Sequence, residues 1–223
     1  MKIIWMCWFQ GEKSGIPDLN KVCIEKWKSM NSDWKVIVLD NQTISNYVPE
    51  YHEICKKSPP REMAAYSDLL RILLLSKYGG VWVDSTVYPT QPLSEFYSKI
   101  MNEEGFFAYR YIPSNHYTFG PRKGAILEID SWFLCADKPN HYLVNTWKAK
   151  FIENFRKYKK WPYFTFHETI RELYISDSKI KKTINGMVQI NARDAISAEK
   201  TSRPRLWKKS YVYKRPCWRM WKK

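Results

Sequence analysis

Apolar positions along the chain fall first into unbroken runs and then into helical spacing. Residues 3–9, IIWMCWF, are continuously apolar with β-branched and aromatic character, which predicts a buried first strand. Asp18 can cap a helix reaching about Met30, with Val22, Ile24 and Trp27 among its apolar positions, and residues 34–39, WKVIVL, read as a second strand. Strand, helix, strand predicts a right-handed crossover and a parallel sheet. Ser58 followed by Pro59 and Pro60 suits a helix start, and REMAAYSDLLRILLLSKY then runs to Gly79 and Gly80, which close it. Residues 81–84 predict a short strand, after which Pro89 and Pro92 return the chain to a loop. Residues 106–112 predict another strand, 124–136 a helix, and 141–158 a long amphipathic helix with basic residues on its polar side. Beyond Lys159 the periodicity weakens, and there is no internal repeat. The expected organisation is one α/β domain over residues 1–202, followed by a tail, 203–223, in which cations and aromatics alternate without an acid.

Composition narrows the class. A chain of 223 residues can bury one substantial core, and 44% hydrophobic with 26% charged residues is ordinary globular usage, which argues against disorder. Eleven Trp, fifteen Tyr and ten Phe exceed what such a core needs, so some rings are expected to face a ligand. The net charge of +15 favours an anionic partner such as a nucleotide phosphate, a nucleic acid or an acidic membrane. The five cysteines are scattered without a CxxC pair, which suggests neither a disulfide framework nor a zinc site and fits a reducing cytosol. The N-terminal apolar run is too short for a signal peptide, and no later stretch reaches membrane-span length, so a cytoplasmic chain is expected.

The stretch YGGVWVDSTV, residues 78–87, ends a buried-looking strand in Asp84, flanked by Ser85 and Thr86. A lone aspartate there is more often a turn cap. Asp68 and Arg71, however, lie three apart on the preceding helix and share a face, and the double-glycine turn folds that helix back against the strand carrying Asp84. Ligands of open α/β sheets bind at the carboxyl ends of strands. Two carboxylates and a guanidinium at such an end suit a sugar nucleotide, with acids for hydroxyls and a cation for charge balance. A surface ion pair between Asp68 and Arg71 is the plainer alternative.

SDLLRILLLSKYGGVWVDSTV, together with IIWMCWFQGE and CIEKWKSMNSDWKVIVLD, resembles the DXD-type sugar transferases, which include capsular polysaccharide synthesis glycosyltransferases, yeast mannosyltransferases and glucosylating toxins. These blocks cover roughly the first ninety residues in the family's order, and GGVWxDxT is similar to the capsular subgroup. The resemblance implies a GT-A-like fold, a mixed and mainly parallel sheet flanked by helices in a single domain. It implies a bacterial hexosyltransferase-type enzyme that moves sugar from a UDP-hexose or UDP-N-acetylhexosamine, with retention, to a capsular or other surface polysaccharide. Carried over, Trp8 stacks near the uracil, Asp68 holds sugar hydroxyls, Arg71 reaches sugar and phosphate, Trp82 lies near the donor, and Asp84 meets ribose and metal. Ser85 belongs to the same rim.

Thr86 stands where the family's second metal-binding aspartate would be, and a hydroxyl is a weaker ligand for Mn²⁺ or Mg²⁺ than a carboxylate. The expected divalent cation therefore rests on Asp84, Thr86 and diphosphate oxygens. The segment LEIDSWFLCADKPNHY is similar to the family's helix that carries an asparagine to the donor sugar, here Asp130 or Ser131. Retention implies acceptor attack from the leaving-group face, with Glu128 and Asp130 as alternative nucleophiles. His116 and His167 are candidate acceptor-side bases or diphosphate ligands, although a histidine among aromatics is more often a packing residue; His52 and His141 read as surface residues. The tail's Trp207, Trp218 and Trp221 among cations suit an anionic inner-membrane surface and a lipid-linked glycan acceptor. Two competing readings are a nucleic-acid binder, for which no motif is present and which is not expected, and a catalytically inactive sugar-binding relative, prompted by Thr86.

Overall fold

β1 (Ile3–Cys7) and β3 (Gly80–Val83) are buried along their whole length, because their apolar runs supply side chains to both faces of a covered sheet. A computed structural model of the chain describes residues 2–57, 59, 63–110, 129–157, 164–192 and 206–208. The chain runs through β1, α1 (Asp18–Met30), β2 (Lys35–Leu39), α2 (Glu50–Lys57), α3 (Met63–Tyr78), β3, β4 (Val87–Pro89), α4 (Ser94–Ile100), β5 (Phe106–Arg110), β6 (Ile129–Ala136), α5 (Tyr142–Lys157), α6 (Thr165–Ser176), α7 (Ser178–Gly186) and β7 (Leu206–Lys208). The main sheet has the order β2-β1-β3-β6-β5. β1 pairs parallel with β2 and β3, whereas β6 runs antiparallel to both β3 and β5. The mixed, mainly parallel GT-A-like architecture expected from the sequence is therefore present.

Alternation along the strands builds two apolar layers. Trp5, Trp82 and Leu134 face α3, α5 and α6, where Leu73, Trp147 and Phe166 meet them. Ile4, Val81 and Phe133 face the other way, onto Ile24 and Trp27 of α1 and Phe96 of α4. α3 is buried continuously from Asp68 to Ser76, so its sequence is apolar around most of its circumference and carries Asp68 and Arg71 into the interior.

Several elements differ from expectation. Residues 129–136 form β6, a strand and not a helix. The strand lies between β3 and β5 with nearly every residue buried, so IDSWFLCA is apolar on both faces and has no alternation to distinguish it from a buried helix. Residues 124–128 lie outside the described residues. The long helix begins in the described residues at Met63 (58 and 60–62 are not described), and α2 is a separate helix unread in the sequence. Pro89 sits within β4, a three-residue strand paired antiparallel with β7 from the basic tail; a short two-stranded ribbon tolerates proline where a central strand would not. α6 and α7 occupy the stretch of weak periodicity and bury Phe166, Ile170, Ile180 and Ile184.

His141 is buried, contrary to the surface position expected. Its Nε2 donates to the Glu104 carbonyl at 2.9 Å, and its ring stacks on Phe106, because the turn before α5 folds under the start of β5. His52 is exposed. Cys7, Cys23, Cys55 and Cys135 are buried and form no disulfide. Among the described residues no helix is long and apolar enough to cross a membrane.

The turn that returns α3 to the sheet requires glycine. Gly79 and Gly80 both have positive φ, and a Cβ on Gly80 would lie 2.7 Å from the Ile3 carbonyl oxygen. Gly15 also has positive φ, yet a Cβ there meets nothing within 4 Å. Gly80→Ala is thus expected to cost at least about 2 kcal/mol more in urea unfolding than Gly15→Ala, since only the former adds backbone collision to dihedral strain. Equal losses would show that Ile3 yields without cost.

Candidate active site at the carboxyl edge of the sheet

The parallel pairing of β1, β2 and β3 brings their carboxyl ends to one edge. Trp5 pairs with Trp82, so Cys7 and Asp84 each come two residues beyond that level on adjacent strands. Asp84 leaves β3 with its backbone N–H still bonded to the Trp132 carbonyl at 2.9 Å, then enters a turn closed by Val87 N–H to the Asp84 carbonyl at 2.9 Å. α1 fixes this turn from below. Asn20 Nδ2 donates to Ser85 Oγ at 2.8 Å, and Trp27 Nε1 donates to the Val87 carbonyl at 2.9 Å. Ser85 is accordingly buried and engaged with α1, while Thr86 in the same turn is half-buried.

Arg71 stands at the centre. One end of its guanidinium donates to Asp68 Oδ1, and Nη2 donates to Asp84 Oδ1 at 3.0 Å. Trp82 Nε1 donates to the same Asp84 oxygen at 3.0 Å, and the guanidinium lies 5.1 Å from the Trp82 ring centre and 5.8 Å from that of Phe166. The Asp68 and Arg71 side chains are 6% and 4% exposed, whereas that of Asp84 is 27% exposed, so Asp84 is the member of the triad that meets the outside. Trp82 is fully buried. Its indole N–H steadies Asp84 and its ring lies against Arg71, so any part it plays near a donor passes through those two side chains.

Charge is unevenly matched in this interior. Burial pushes the Asp68 carboxyl up to about 7, against the pull of Arg71, and Asp84 and Asp130 add like-charge repulsion. Cys7 is likewise driven far up, by burial first and then by Asp40 and Asp84. Burial followed by the Arg71 charge pushes the His167 imidazole down to about 4, leaving it neutral near pH 7. His167 is half-buried, with its Nδ1 shut from solvent and without a hydrogen-bond partner among the described residues.

The structure brings Asp68, Arg71, Trp82 and Asp84 into contact, with Asp130 within electrostatic reach of Asp68 and His167 within reach of Arg71. Asp130 is buried on β6 and its Oδ1 accepts the backbone N–H of Ser131, which is half-buried. His116 and Glu128 lie outside the described residues.

At the ends of β1 and β2, one strand over from Asp84, a cavity of about 390 Å³ is lined by Trp8, Phe9, Gly11, Lys13, Asp40 and Gln42, among others, with no residue of the triad in its wall. Trp8 is half-buried there, and its shielded Nε1 has no hydrogen-bond partner among the described residues. Asp40, another strand-end aspartate, shows what a structural cap looks like. Its Oδ1 accepts from the Thr43 hydroxyl and from the Thr43 and Gln42 backbone N–H groups at 2.8 to 3.0 Å, which holds its carboxyl below the usual range. Asp84 is bonded instead to Arg71 and Trp82.

Sequence reading missed Asn20 and Phe166. Phe166 falls where no clear period was visible, whereas Asn20 lies on a helix that was recognised but whose polar contact depends on the sheet.

Asp68 has a folded value raised from 3.8 to about 7, so it opposes folding progressively as pH climbs through that interval. Removing the shared cation in Arg71→Met is expected to cost about 3 to 5 kcal/mol at pH 8, where the carboxylates ionise without compensation. At pH 5 the loss should be clearly smaller. Urea unfolding at the two pH values measures this, and equal losses would refute the shared-cation account.

A comparison with curated protein sequences finds no match. Among solved structures, the chain is similar to the PaToxG glycosyltransferase with a TM-score of 0.51 at 15% identity, over 82% of this chain and 74% of that one. A second structure, described as a mutant transferase, aligns with a TM-score of 0.45 at 12% identity over 92% and 93% of the two chains. The first likeness concerns the fold, which is that of a sugar transferase. A family model described as capsular polysaccharide synthesis protein matches residues 1–202, and on that match the chain belongs to the capsular polysaccharide synthesis family.

Proposed function

We propose that the protein is a retaining glycosyltransferase that moves a hexose or N-acetylhexosamine from a UDP-sugar onto a growing capsular or other surface polysaccharide. The observation that supports this most directly is a carboxylate, Asp84, held at the mouth of the sheet by a buried guanidinium and an indole, next to a cavity bearing Trp8. In this reading the base stacks on Trp8, the sugar and ribose hydroxyls donate to Asp84, and Asp68 is the inner carboxylate that a donor hydroxyl reaches only deep in the site. Arg71 keeps both carboxylates oriented. Fixed partners of this kind reduce the reorganisation required as charge develops on the departing diphosphate.

The donor set fits a divalent cation in part. Asp84 offers a carboxylate and Thr86 a hydroxyl across one turn, and no group of three acidic, histidine or cysteine ligands exists among the described residues. Asp84 and Thr86 would hold Mn²⁺ or Mg²⁺ together with the donor's own oxygens. Such an ion would supply charge neutralisation on the diphosphate. Acceptor attack from the leaving-group face suits a site whose carboxylates are already committed to Arg71. We also propose that the acceptor is lipid-linked, on the strength of the alternating cations and aromatics of residues 203–223.

Thermal-shift and turnover measurements with a panel of nucleotide sugars, with and without Mn²⁺, test this reading. Stabilisation by UDP-sugars is expected, together with donor hydrolysis or transfer that falls at least about a hundredfold in Asp84→Ala. A folded Asp84→Ala protein with undiminished turnover would reject the assignment. Thr86 favours one second reading, an inactive sugar-binding relative, which predicts donor stabilisation without any turnover.

A further inference from the structure

Arg71 is occupied by two carboxylates, so a departing diphosphate needs a cation from elsewhere. β5 and β3 both run against β6, which places Arg110, the last residue of β5, at the same carboxyl edge as Asp84. Ala108 and Trp82 both pair with Leu134, and both belong to the core layer beneath α3 and α5. Arg110 and Asp84 each follow that level by two residues and so emerge on the same face of the sheet. Two strand spacings, roughly 10 Å, separate the two strands, and the register sets Arg110 opposite Ile129 while Asp84 bonds to Trp132, so Arg110 lies further out along the edge. A register shift between Ala108 and Arg110 bends the end of β5, as bulges do where a side chain is re-aimed.

The arginine is clamped by neutral groups. Its Nη1 donates to Gln189 Oε1 at 2.7 Å, and Gln189 is itself fixed by donating to the Ile184 and Met187 carbonyls at 3.1 and 2.6 Å. The Arg110 backbone N–H donates to the Ile190 carbonyl at 3.0 Å, and Arg110 bridges to Asn191. Its Nε is shut from solvent, and among the described residues it has no hydrogen-bond partner and no carboxylate pairs with the guanidinium. Burial consequently presses its guanidinium below the usual range, offset only by Tyr174, although an arginine stays cationic near neutrality. A half-buried cation held by an amide retains its charge for an incoming anion, and the planar fork matches phosphate oxygens.

We infer that Arg110, oriented by Gln189, forms an anion subsite at the carboxyl edge of the sheet that takes a phosphate or diphosphate group of a reactant. The inference rests on the transferase reading for the identity of that reactant, and on the Arg110 cluster alone for the binding of phosphate.

Calorimetric titration of the full chain at low ionic strength, with inorganic pyrophosphate and with UDP, tests it in wild type, Arg110→Ala, Arg110→Lys and Gln189→Ala. Pyrophosphate binding is expected to weaken about tenfold or more in Arg110→Ala, and less in Arg110→Lys, which keeps the charge but not the fork. Gln189→Ala, which frees the guanidinium without removing it, should weaken binding by about threefold. A parallel loss for UDP assigns the phosphate to the donor. An unchanged UDP affinity with weakened pyrophosphate assigns it to a phosphate on the acceptor. A wild type that binds neither probe, or an Arg110→Ala protein of unaltered melting temperature that binds both as wild type does, overturns the subsite. If Asp84→Ala abolishes donor turnover while Arg110→Ala changes nothing, the subsite alone falls. If pyrophosphate binding depends on Arg110 but no nucleotide sugar is bound or turned over, the transferase reading falls and the subsite stands.

Discussion

A single buried guanidinium facing more negative charge than it can balance is the constraint on which the rest of the site depends. Arg71 bonds Asp68 and Asp84 at once, with Asp130 close enough to disturb Asp68 electrostatically. Such an arrangement is costly to fold, since removing several carboxylates from water demands compensation that one cation supplies only in part. The scaffold meets the demand with packing. α3 is apolar from Leu69 to Leu75 apart from Arg71, and two aromatic rings, Trp82 and Phe166, bracket the guanidinium. The residual electrostatic deficit is what a ligand rich in hydroxyl donors, or a cation, could relieve. Any ligand that did so would link its own binding to the stability of the protein through the same three side chains.

α1 adds a second level of control. It carries no residue of the triad, yet Asn20 and Trp27 pin the turn immediately after Asp84 at both Ser85 and Val87. The position of the exposed carboxylate is thereby fixed from both layers of the molecule: by Arg71 from one side of the sheet and by the first helix, through the turn, from the other. Side chains on rigid elements hold such geometry better than loops do.

Much of this was legible in the chain. The first two strands, α1, the buried α3, the double-glycine return and the strand before Asp84 all follow from local patterns that tertiary packing reinforces. The i, i+3 spacing of Asp68 and Arg71 was enough to place them on one face. What could not be read has definite physical causes. β6 carries apolar residues on both faces and lost the alternation that would have marked it as a strand. His141 looked polar and therefore external, but a carbonyl at the end of a turn gives its ring a buried partner. Trp82 offered an aromatic ring beside a carboxylate, and only the three-dimensional structure distinguishes a ring that would stack on a ligand from an N–H that steadies a neighbour. Arg110 and Gln189 lie 79 residues apart in sequence, and no local pattern links them.

The ribbon of β4 and β7 joins Val87 to Lys208, so the segment that leaves the turn after Asp84 finds its partner only far downstream in the chain. During synthesis the sheet core and α3 can assemble long before that partner emerges from the ribosome. The edge next to Asp84 stays without its companion strand until then, and any activity that depends on the ribbon would begin only after that late segment has been made.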